Sequence, residues 1–344
     1  MRGGRRLSRL ALSGMGCLLL AACSATATNG SGSPAPSSAG SNSIAAVSPA
    51  PIPSSSQSPS VVVSEVGWRL PVPVSREVVL VDGPDLELVG GLDAAGVSSS
   101  AVVTIDPVTG EAQPQGTLAT PVHDAAGAML GAHLFVFGGG SSSSTSSVQQ
   151  LRAGSRAAVT GRMPGPRSDL VAVTIGGIAY LVGGYDGSVI ARGVLATSNG
   201  TRFTTVANLP VPVRYPAVAA IGDVLWVFGG QTATGSTDAV QQVDLATGQA
   251  TVAYRLPTTL TDASAVVLGG QVYLLGGLVA GHPSDAVVRY DTNNGSQVVV
   301  AHLPAPVHDA ACAVIADTAF LLGGEAPNPV STVIRVQLTT PATP

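Results

Sequence analysis

The tetrapeptide Pro-Val-His-Asp occurs twice in this chain, at residues 121–124 and 306–309. A histidine beside a carboxylate can act as an acid–base pair or supply ligands to a metal ion. An aspartate at the start of a strand can instead cap the local backbone. His123, Asp124, His308 and Asp309 are therefore candidates for chemistry, and their place in the chain decides which role is favoured.

Both copies lie at the same place relative to a recurring Gly-Gly pair. The pairs begin at Gly90, Gly138, Gly183, Gly229, Gly276 and Gly323, at intervals of 48, 45, 46, 47 and 47 residues. Fifteen residues before them stand Ser75, His123, Ser168, Arg214, Thr261 and His308, and the next residues are Arg76, Asp124, Asp169, Tyr215, Asp262 and Asp309. Because four of these six following residues are Asp, a backbone cap is the favoured interpretation of this layer. The two histidines depart from the repeat and remain the stronger candidates.

The repeat itself predicts the elements that position these side chains. An apolar run ends at each pair, and five runs carry an aromatic residue three positions earlier, at Phe135, Tyr180, Trp226, Tyr273 and Phe320. Small-residue segments such as LVAVTI precede these runs, and turns such as Asp244-Leu-Ala-Thr-Gly248 follow them. Four short strands per period, without helical periodicity, predict the blade of a β-propeller.

These residues resemble the kelch repeat, with its small-residue first strand, its second strand ending in Gly-Gly, and a Tyr-Asp before the turn, here Tyr290-Asp291. The fourth strands lack the usual Trp. The resemblance covers about residues 61 to 340 and implies an all-β, six-bladed propeller with four antiparallel strands per blade. The segment 61–71 resembles a fourth strand and should complete the last blade, because the chain ends after a third strand at 332–338.

In such a propeller, the segments before the first strands and after the Gly-Gly pairs share one mouth of the axial channel. Several kelch propellers use an Arg there to grip carboxylates, and the resemblance extends this role to Arg167 and Arg214. The full set of candidate ligand-binding residues is His123, Asp124, Arg167, Asp169, Arg214, Tyr215, Asp262, His308, Asp309 and Arg76.

The first sixty residues predict export and anchoring. Arg2, Arg5, Arg6 and Arg9 precede a short apolar stretch and Leu20-Ala-Ala-Cys23. Residues 1–22 therefore read as a signal peptide, and Cys23 resembles the lipidated cysteine of bacterial lipoproteins. A plain secretory signal is the alternative. Residues 23–60, rich in Ser, Pro, Ala and Gly, are expected to form a flexible linker to the domain at 61–340.

Composition excludes some functions. The chain has no lysine, and removing the signal leaves 12 Arg (16 minus 4) against 20 Asp and Glu, a balance that argues against nucleic-acid binding. Three cysteines, of which one leaves with the signal and one is a lipidation candidate, provide neither a disulfide framework nor a cysteine metal site. We expect no cofactor or metal, and a monomer.

Two kinds of function remain open. The first is a binding or scaffold module, anchored outside the cytoplasm, that recognises a protein, peptide or glycan through its mouth loops. The second follows from the resemblance to exported kelch-type sialic-acid mutarotases, which would need an acid–base pair near an Arg. His123, His308, Glu77 and Arg214 could supply that pair and the Arg.

Overall fold

The computed structural model describes residues 60–152 and 154–339. Those residues form strands and turns without a helix, and therefore no helix among them could span a membrane. The predicted signal peptide, Cys23 and nearly all of the predicted linker lie outside the described residues.

The described strands, in chain order, are short. They are β1 (Ser60–Glu65), β2 (Val74–Ser75), β3 (Val78–Asp82), β4 (Asp85–Val89), β5 (Leu92–Asp93), β6 (Ala101–Ile105), β7 (Ala112–Thr117), β8 (Ala126–Leu130), β9 (His133–Phe137), β10 (Ser147–Leu151), β11 (Ser155–Arg156), β12 (Ala158–Arg162), β13 (Ser168–Ile175), β14 (Ile178–Tyr185), β15 (Gly193–Thr197) and β16 (Thr204–Asn208). The second half contains β17 (Ala217–Ile221), β18 (Val224–Phe228), β19 (Gln231–Thr232), β20 (Gly235–Ser236), β21 (Ala239–Asp244), β22 (Ala250–Arg255), β23 (Leu260–Thr261), β24 (Ser264–Leu268), β25 (Gln271–Leu275), β26 (Leu278–Val279), β27 (His282–Pro283), β28 (Ala286–Tyr290), β29 (Gln297–His302), β30 (Ala311–Ile315), β31 (Thr318–Leu322) and β32 (Val333–Thr339).

Within the described ranges these strands build six main sheets, numbered here from the N-terminus. Sheets 1 to 6 have the orders β3-β4-β6-β7-β11, β8-β9-β10-β12, β13-β14-β15-β16, β17-β18-β21-β22, β24-β25-β28-β29 and β30-β31-β32-β1. Their main strands pair antiparallel, as expected from the repeat, and only the two-residue β11 pairs parallel. In sheet 6, β1 pairs with β32 from Ser60↔Thr339 to Glu65↔Ile334, so the first described strand lies beside the last one.

Apolar side chains fill the spaces between successive sheets. Phe137 and Leu181, which are fully buried, pack between sheets 2 and 3, and Leu88 and Leu322 pack between sheets 1 and 6. Full burial of such a side chain contributes about 1.5–3 kcal/mol. The strands that begin the sheets contact one another in the sequence β3, β8, β13, β17, β24 and β30, and β30 contacts β3.

The Gly-Gly pairs connect each sheet to the next. The second glycine of every pair donates its N–H across the gap at 2.8–3.0 Å, in the pairs Gly91–Val122, Gly139–Arg167, Gly184–Val213, Gly230–Leu260, Gly277–Val307 and Gly324–Val74. Gly183 has a φ of 71°, and a Cβ there would lie 2.6 Å from the carbonyl oxygen of Val213. Glycine is therefore required because the backbones approach closely, in addition to its freedom to turn.

The predicted hairpin turns are confirmed. Asp244 Oδ1 accepts hydrogen bonds from the backbone N–H groups of Ala246 and Thr247, and Gly248 has a φ of 72°. Asp106 makes the same turn before Gly110. These turns join the third and fourth strands, so they lie on the outer part of the sheets and not at the candidate site.

Candidate functional site

Six backbone segments, one from each sheet, meet in a closed ring of hydrogen bonds. The N–H of each ring residue donates to the carbonyl of the preceding one at 2.8–3.2 Å, in the order Arg76, Asp124, Asp169, Tyr215, Asp262 and Asp309, and Arg76 donates to Asp309. All six have a positive φ, between 52° and 61°. Asp tolerates this left-handed conformation better than most residues, which explains its recurrence at this place.

This ring replaces the Asx-type cap that the sequence favoured. Among the described residues, the carboxylates of Asp124, Asp169, Asp262 and Asp309 accept no hydrogen bond from a backbone N–H. The carboxylates of Asp124, Asp169 and Asp309 instead contact other side chains at the mouth. The recurring feature is therefore the backbone conformation and not a side-chain cap.

The residues just before the ring pair with the residues just after the Gly-Gly pairs. His123 bridges to Gly140, Arg214 to Gln231, and His308 to Glu325. Ser168 pairs with Tyr185 in the same register. This pairing places Tyr185 and Glu325, which lie outside the set of candidate residues given above, beside the ring.

Arg76 is held among three carboxylates. Its Nε donates to Glu325 Oε1 at 3.1 Å, and its terminal nitrogens lie 3.5 Å from Asp124 Oδ2 and 3.6 Å from Asp309 Oδ2. Its guanidinium is also 6.0 Å from the ring centroid of Tyr215, which comes from sheet 4. Burial alone would lower the pKa of Arg76, but the surrounding anions outweigh it and raise the pKa above its ordinary value.

Arg214 is held by aromatic rings and one carboxylate. Its guanidinium carbon lies 4.8 Å from the centroid of Tyr185 and 4.6 Å from that of Tyr215, within the range of cation–π attraction. Nη2 donates to the Tyr215 hydroxyl at 3.0 Å. Nε lies 2.9 Å from Asp169 Oδ2, an ion pair whose angle is too bent to count as a hydrogen bond.

The two Pro-Val-His-Asp copies have different surroundings. His308 Nδ1 lies 2.7 Å from Asp309 Oδ2, and this hydrogen bond raises the pKa of His308 above its ordinary value. His123 Nδ1 instead lies 2.9 Å from the hydroxyl of Ser98. Burial and the nearby Arg76 charge lower the pKa of His123. The same tetrapeptide thus gives one histidine whose pKa is raised and one whose pKa is lowered.

Arg167 differs from the other candidates, and the expectation that it faces the mouth is wrong. It stands where the other repeats have Val74, Val122, Val213, Leu260 and Val307. Its side chain is buried and donates to the carbonyls of Gly183 at 3.3 Å and Gly193 at 2.8 Å. Burial lowers the pKa of Arg167 to about 10. Because this position is buried in every repeat, the Arg167 side chain points into sheet 3 and bonds to its backbone.

Several carboxyl groups are crowded and partly desolvated. Burial and the neighbouring carboxylates raise the pKa of Asp124 to about 8 and that of Asp262 to about 7, and burial also raises the pKa of Asp169. Glu77 is 6% exposed and accepts from Ala311 N–H at 3.3 Å, but its Oε2 has no hydrogen-bond partner. Burial raises the pKa of Glu77 to about 8.

Two cavities adjoin the ring. A cavity of about 110 Å³ is lined by all six ring residues and by Glu77. Beyond it, a channel of about 870 Å³ is lined mainly by Val and Ala of the first strands and also by Cys312. Burial raises the pKa of the Cys312 thiol to about 11, which disfavours the reactive thiolate form.

One group of side chains at the mouth has the spacing of a metal site. Ligand atoms of His308, Asp309 and Glu325 all lie within 4.8 Å of one another. However, the guanidinium of Arg76 already contacts both Asp309 and Glu325. A metal ion there would have to displace this internal cation.

Comparison with known proteins identifies the fold. Residues 259–304, which include all four strands of sheet 5, match the kelch motif family. The chain is similar to the structure of YjhT, with a TM-score of 0.67 and 16% identity, over 78% of this chain and 98% of YjhT. No curated protein sequence matches the chain. The protein therefore carries a kelch motif and has the fold of a kelch-type β-propeller.

Proposed function

We propose that this chain is an extracytoplasmic, lipid-anchored binding module that recognises a protein, peptide or glycan at the channel mouth. The observation that carries the proposal is the ring, because it brings side chains from all six sheets to one mouth. A site assembled from every repeat suits recognition, since its specificity can be set by the residue at each ring position.

The proposal includes a six-bladed propeller closed by β1. Three independent sets of contacts support it. The first strands contact one another in a circuit, the ring hydrogen bonds return from Arg76 to Asp309, and Gly324 donates to Val74 as the other glycines do to their neighbours. The pairing of β1 with β32 supplies the fourth strand of sheet 6.

Anchoring rests on the sequence of the first residues, with Cys23 as the lipidated cysteine. A Cys23→Ser variant should remain soluble after export, whereas the natural chain should take up a labelled fatty acid and sediment with membranes. Equal labelling of both chains would contradict lipidation at Cys23.

A direct test of the binding role compares the natural domain with a mouth variant. Immobilised domain carrying Asp124→Asn, Asp262→Asn and Asp309→Asn should lose the envelope components that the natural domain captures. Asn is chosen because it tolerates the left-handed backbone of the ring. A variant with Asp223→Asn and Asp317→Asn, both exposed outside the mouth, is the matched control. If the mouth variant captures the same components as the control, the proposed site is wrong.

A carbohydrate-active enzyme resembling the kelch-type mutarotases is the second candidate. The observation that favours it is the His308–Asp309 hydrogen bond beside Arg76, because an acid–base pair near a guanidinium is what anomer exchange needs. Sialic acid and common reducing sugars should then exchange anomers faster with the natural chain than with His308→Gln, as measured by NMR. No acceleration with any sugar would remove this candidate.

A further inference from the structure

The charges at the mouth are unbalanced. Six carboxyl groups line it or lie directly beside it, from Glu77, Asp124, Asp169, Asp262, Asp309 and Glu325, whereas two guanidinium groups do so, from Arg76 and Arg214. The described mouth therefore has more carboxyl groups than cationic groups, and burial and crowding raise the pKa values of Glu77, Asp124 and Asp262.

Both guanidinium groups already have partners within the chain. Arg76 contacts three carboxylates of the chain itself, and Arg214 stacks on two tyrosines and pairs with Asp169. Arg167 is buried in the wall. The arginine role implied by the family resemblance is thus taken up by internal partners.

Two carboxyl groups, in contrast, have no ion-pair partner among the described residues. Among the described residues, Asp262 is the one ring carboxylate without an ion pair, and its neighbour in the ring is Asp309. Glu77, which is more than nine-tenths buried, has an unpartnered Oε2 and lines the same small cavity. A buried polar atom without a partner is costly, so a donor that enters this cavity gains a ready acceptor.

The size of the cavity limits the group that fits. About 110 Å³ corresponds to a few water molecules, since one water occupies about 30 Å³ in the liquid. An ammonium head with one or two methylene groups fits this space. The neighbouring Arg76 also disfavours a metal ion, as described above.

We propose that the mouth binds an organic ammonium group, with Asp262 as its principal carboxylate and Asp309 and Glu77 beside it. The inference rests on the proposed function and narrows its ligand to an amine, such as the side chain of a lysine in a peptide or a free diamine. The chain contains no lysine and so supplies no side-chain ammonium of its own.

The test uses isothermal titration calorimetry with four probes of the full domain: diaminobutane, the matched neutral butanediol, the matched anion succinate, and zinc chloride. A pH of about 8.5 lies above the raised pKa values of Glu77, Asp124 and Asp262, so each is mostly ionised, and amines with ordinary pKa values remain charged. Diaminobutane should bind, whereas butanediol and succinate should not. Asp262→Asn should weaken diaminobutane binding by about tenfold or more, because it removes a charge-assisted acceptor. Asp317→Asn should leave binding unchanged.

The Arg76→Gln variant distinguishes an internal counter-ion from a residue that binds a ligand carboxylate. If Arg76 is an internal counter-ion, its removal frees two or more carboxylates, and diaminobutane should bind several-fold more tightly. If Arg76 instead grips a ligand carboxylate, succinate should bind the natural chain and lose affinity in this variant. Asp124→Asn serves as a second mouth variant should Asp262→Asn fail to fold.

Peptide competition identifies the source of the amine. If the amine belongs to a peptide, tetralysine should compete with diaminobutane and Nε-acetylated tetralysine should not. Competition by neither peptide assigns the site to free amines.

The outcomes separate this inference from the proposed function. Binding of succinate that depends on Arg76 or Arg214 overturns the ammonium inference but leaves the mouth as the binding site. If zinc binds and diaminobutane does not, the ammonium inference is likewise wrong, and the mouth is still the binding site. If no probe binds, the ammonium inference is wrong, and capture of envelope components by the natural domain but not by the mouth variant then decides whether the mouth is the site.

Discussion

Glu77 should make the domain less stable as the pH rises, and Glu77→Gln should remove that dependence. Glu77 stands where the other repeats have Ala125, Leu170, Pro216, Ala263 and Ala310. Its buried carboxyl has an unpartnered Oε2, and burial, together with the charges of Asp309 and Glu325, raises its pKa from 4.5 to about 8.

Proton linkage makes the free energy of unfolding fall as the pH rises. The folded chain keeps the Glu77 proton to a higher pH than the unfolded chain does, so the contribution of this group is intact below pH 4.5 and declines as the pH approaches about 8. At about 1.4 kcal/mol for each pKa unit, the full decline is roughly 5 kcal/mol. Relaxation around the ionised carboxylate reduces it, and we expect a loss of at least about 2 kcal/mol.

Urea unfolding at a series of pH values from about 4.5 to about 8.5 measures this loss. The stability of Glu77→Gln relative to the natural chain should increase steadily across that range, because Gln does not titrate. Glu111→Gln, at an exposed turn position, is the control and should follow the natural chain. Parallel profiles for Glu77→Gln and the natural chain would refute the reasoning that Glu77 is protonated inside the fold.

Three further predictions follow from the same structure. In an NMR titration, the ring protons of His308 should report a pKa above the ordinary value for histidine, and those of His123 a pKa below it; reversed positions would contradict the assigned surroundings. Arg167→Met should lower the free energy of unfolding by about 1–3 kcal/mol, because it leaves buried carbonyl groups without a hydrogen bond. It should not change the affinity for diaminobutane, and a folded variant that loses this affinity would show that Arg167 acts at the mouth. Deleting residues 61–70 should lower the denaturation midpoint far more than deleting 24–58, and equal losses would contradict closure by β1.

The arrangement of strands could be predicted well from the sequence, because the same strand pattern occurs in six repeats. The Gly-Gly spacing located the ends of the second strands, and it also located the layer from Arg76 to Asp309 that forms the ring. Each repeat makes the same backbone bonds to its neighbour, so an error in one repeat is corrected by the others. Asp at four ring positions was a usable signal, although it reflects tolerance of a positive φ and not a side-chain cap.

Several side-chain partners could not be predicted, because they join residues from different repeats. His123 and His308 have identical local sequences, but His123 bonds to Ser98 of the preceding repeat and His308 to the adjacent Asp309. The Arg167 side chain is buried within its sheet because the equivalent position is apolar in the other repeats. An alignment of the six repeats at the residue sixteen positions before each Gly-Gly pair would have revealed this. Glu77 could have been found in the same way, by the small or apolar residues at its equivalent positions.

Six backbone segments, one from each sheet, meet in one hydrogen-bonded ring at the mouth. Hydrogen exchange of the ring amides, resolved by NMR, tests it most directly, for Arg76, Asp124, Asp169, Tyr215, Asp262 and Asp309. We predict that all six exchange as slowly as amides in the middle of β18, because opening the ring requires separation of whole sheets. Fast exchange at any of the six, at the rate of exposed loop amides, would mean that the ring is open and would contradict the account.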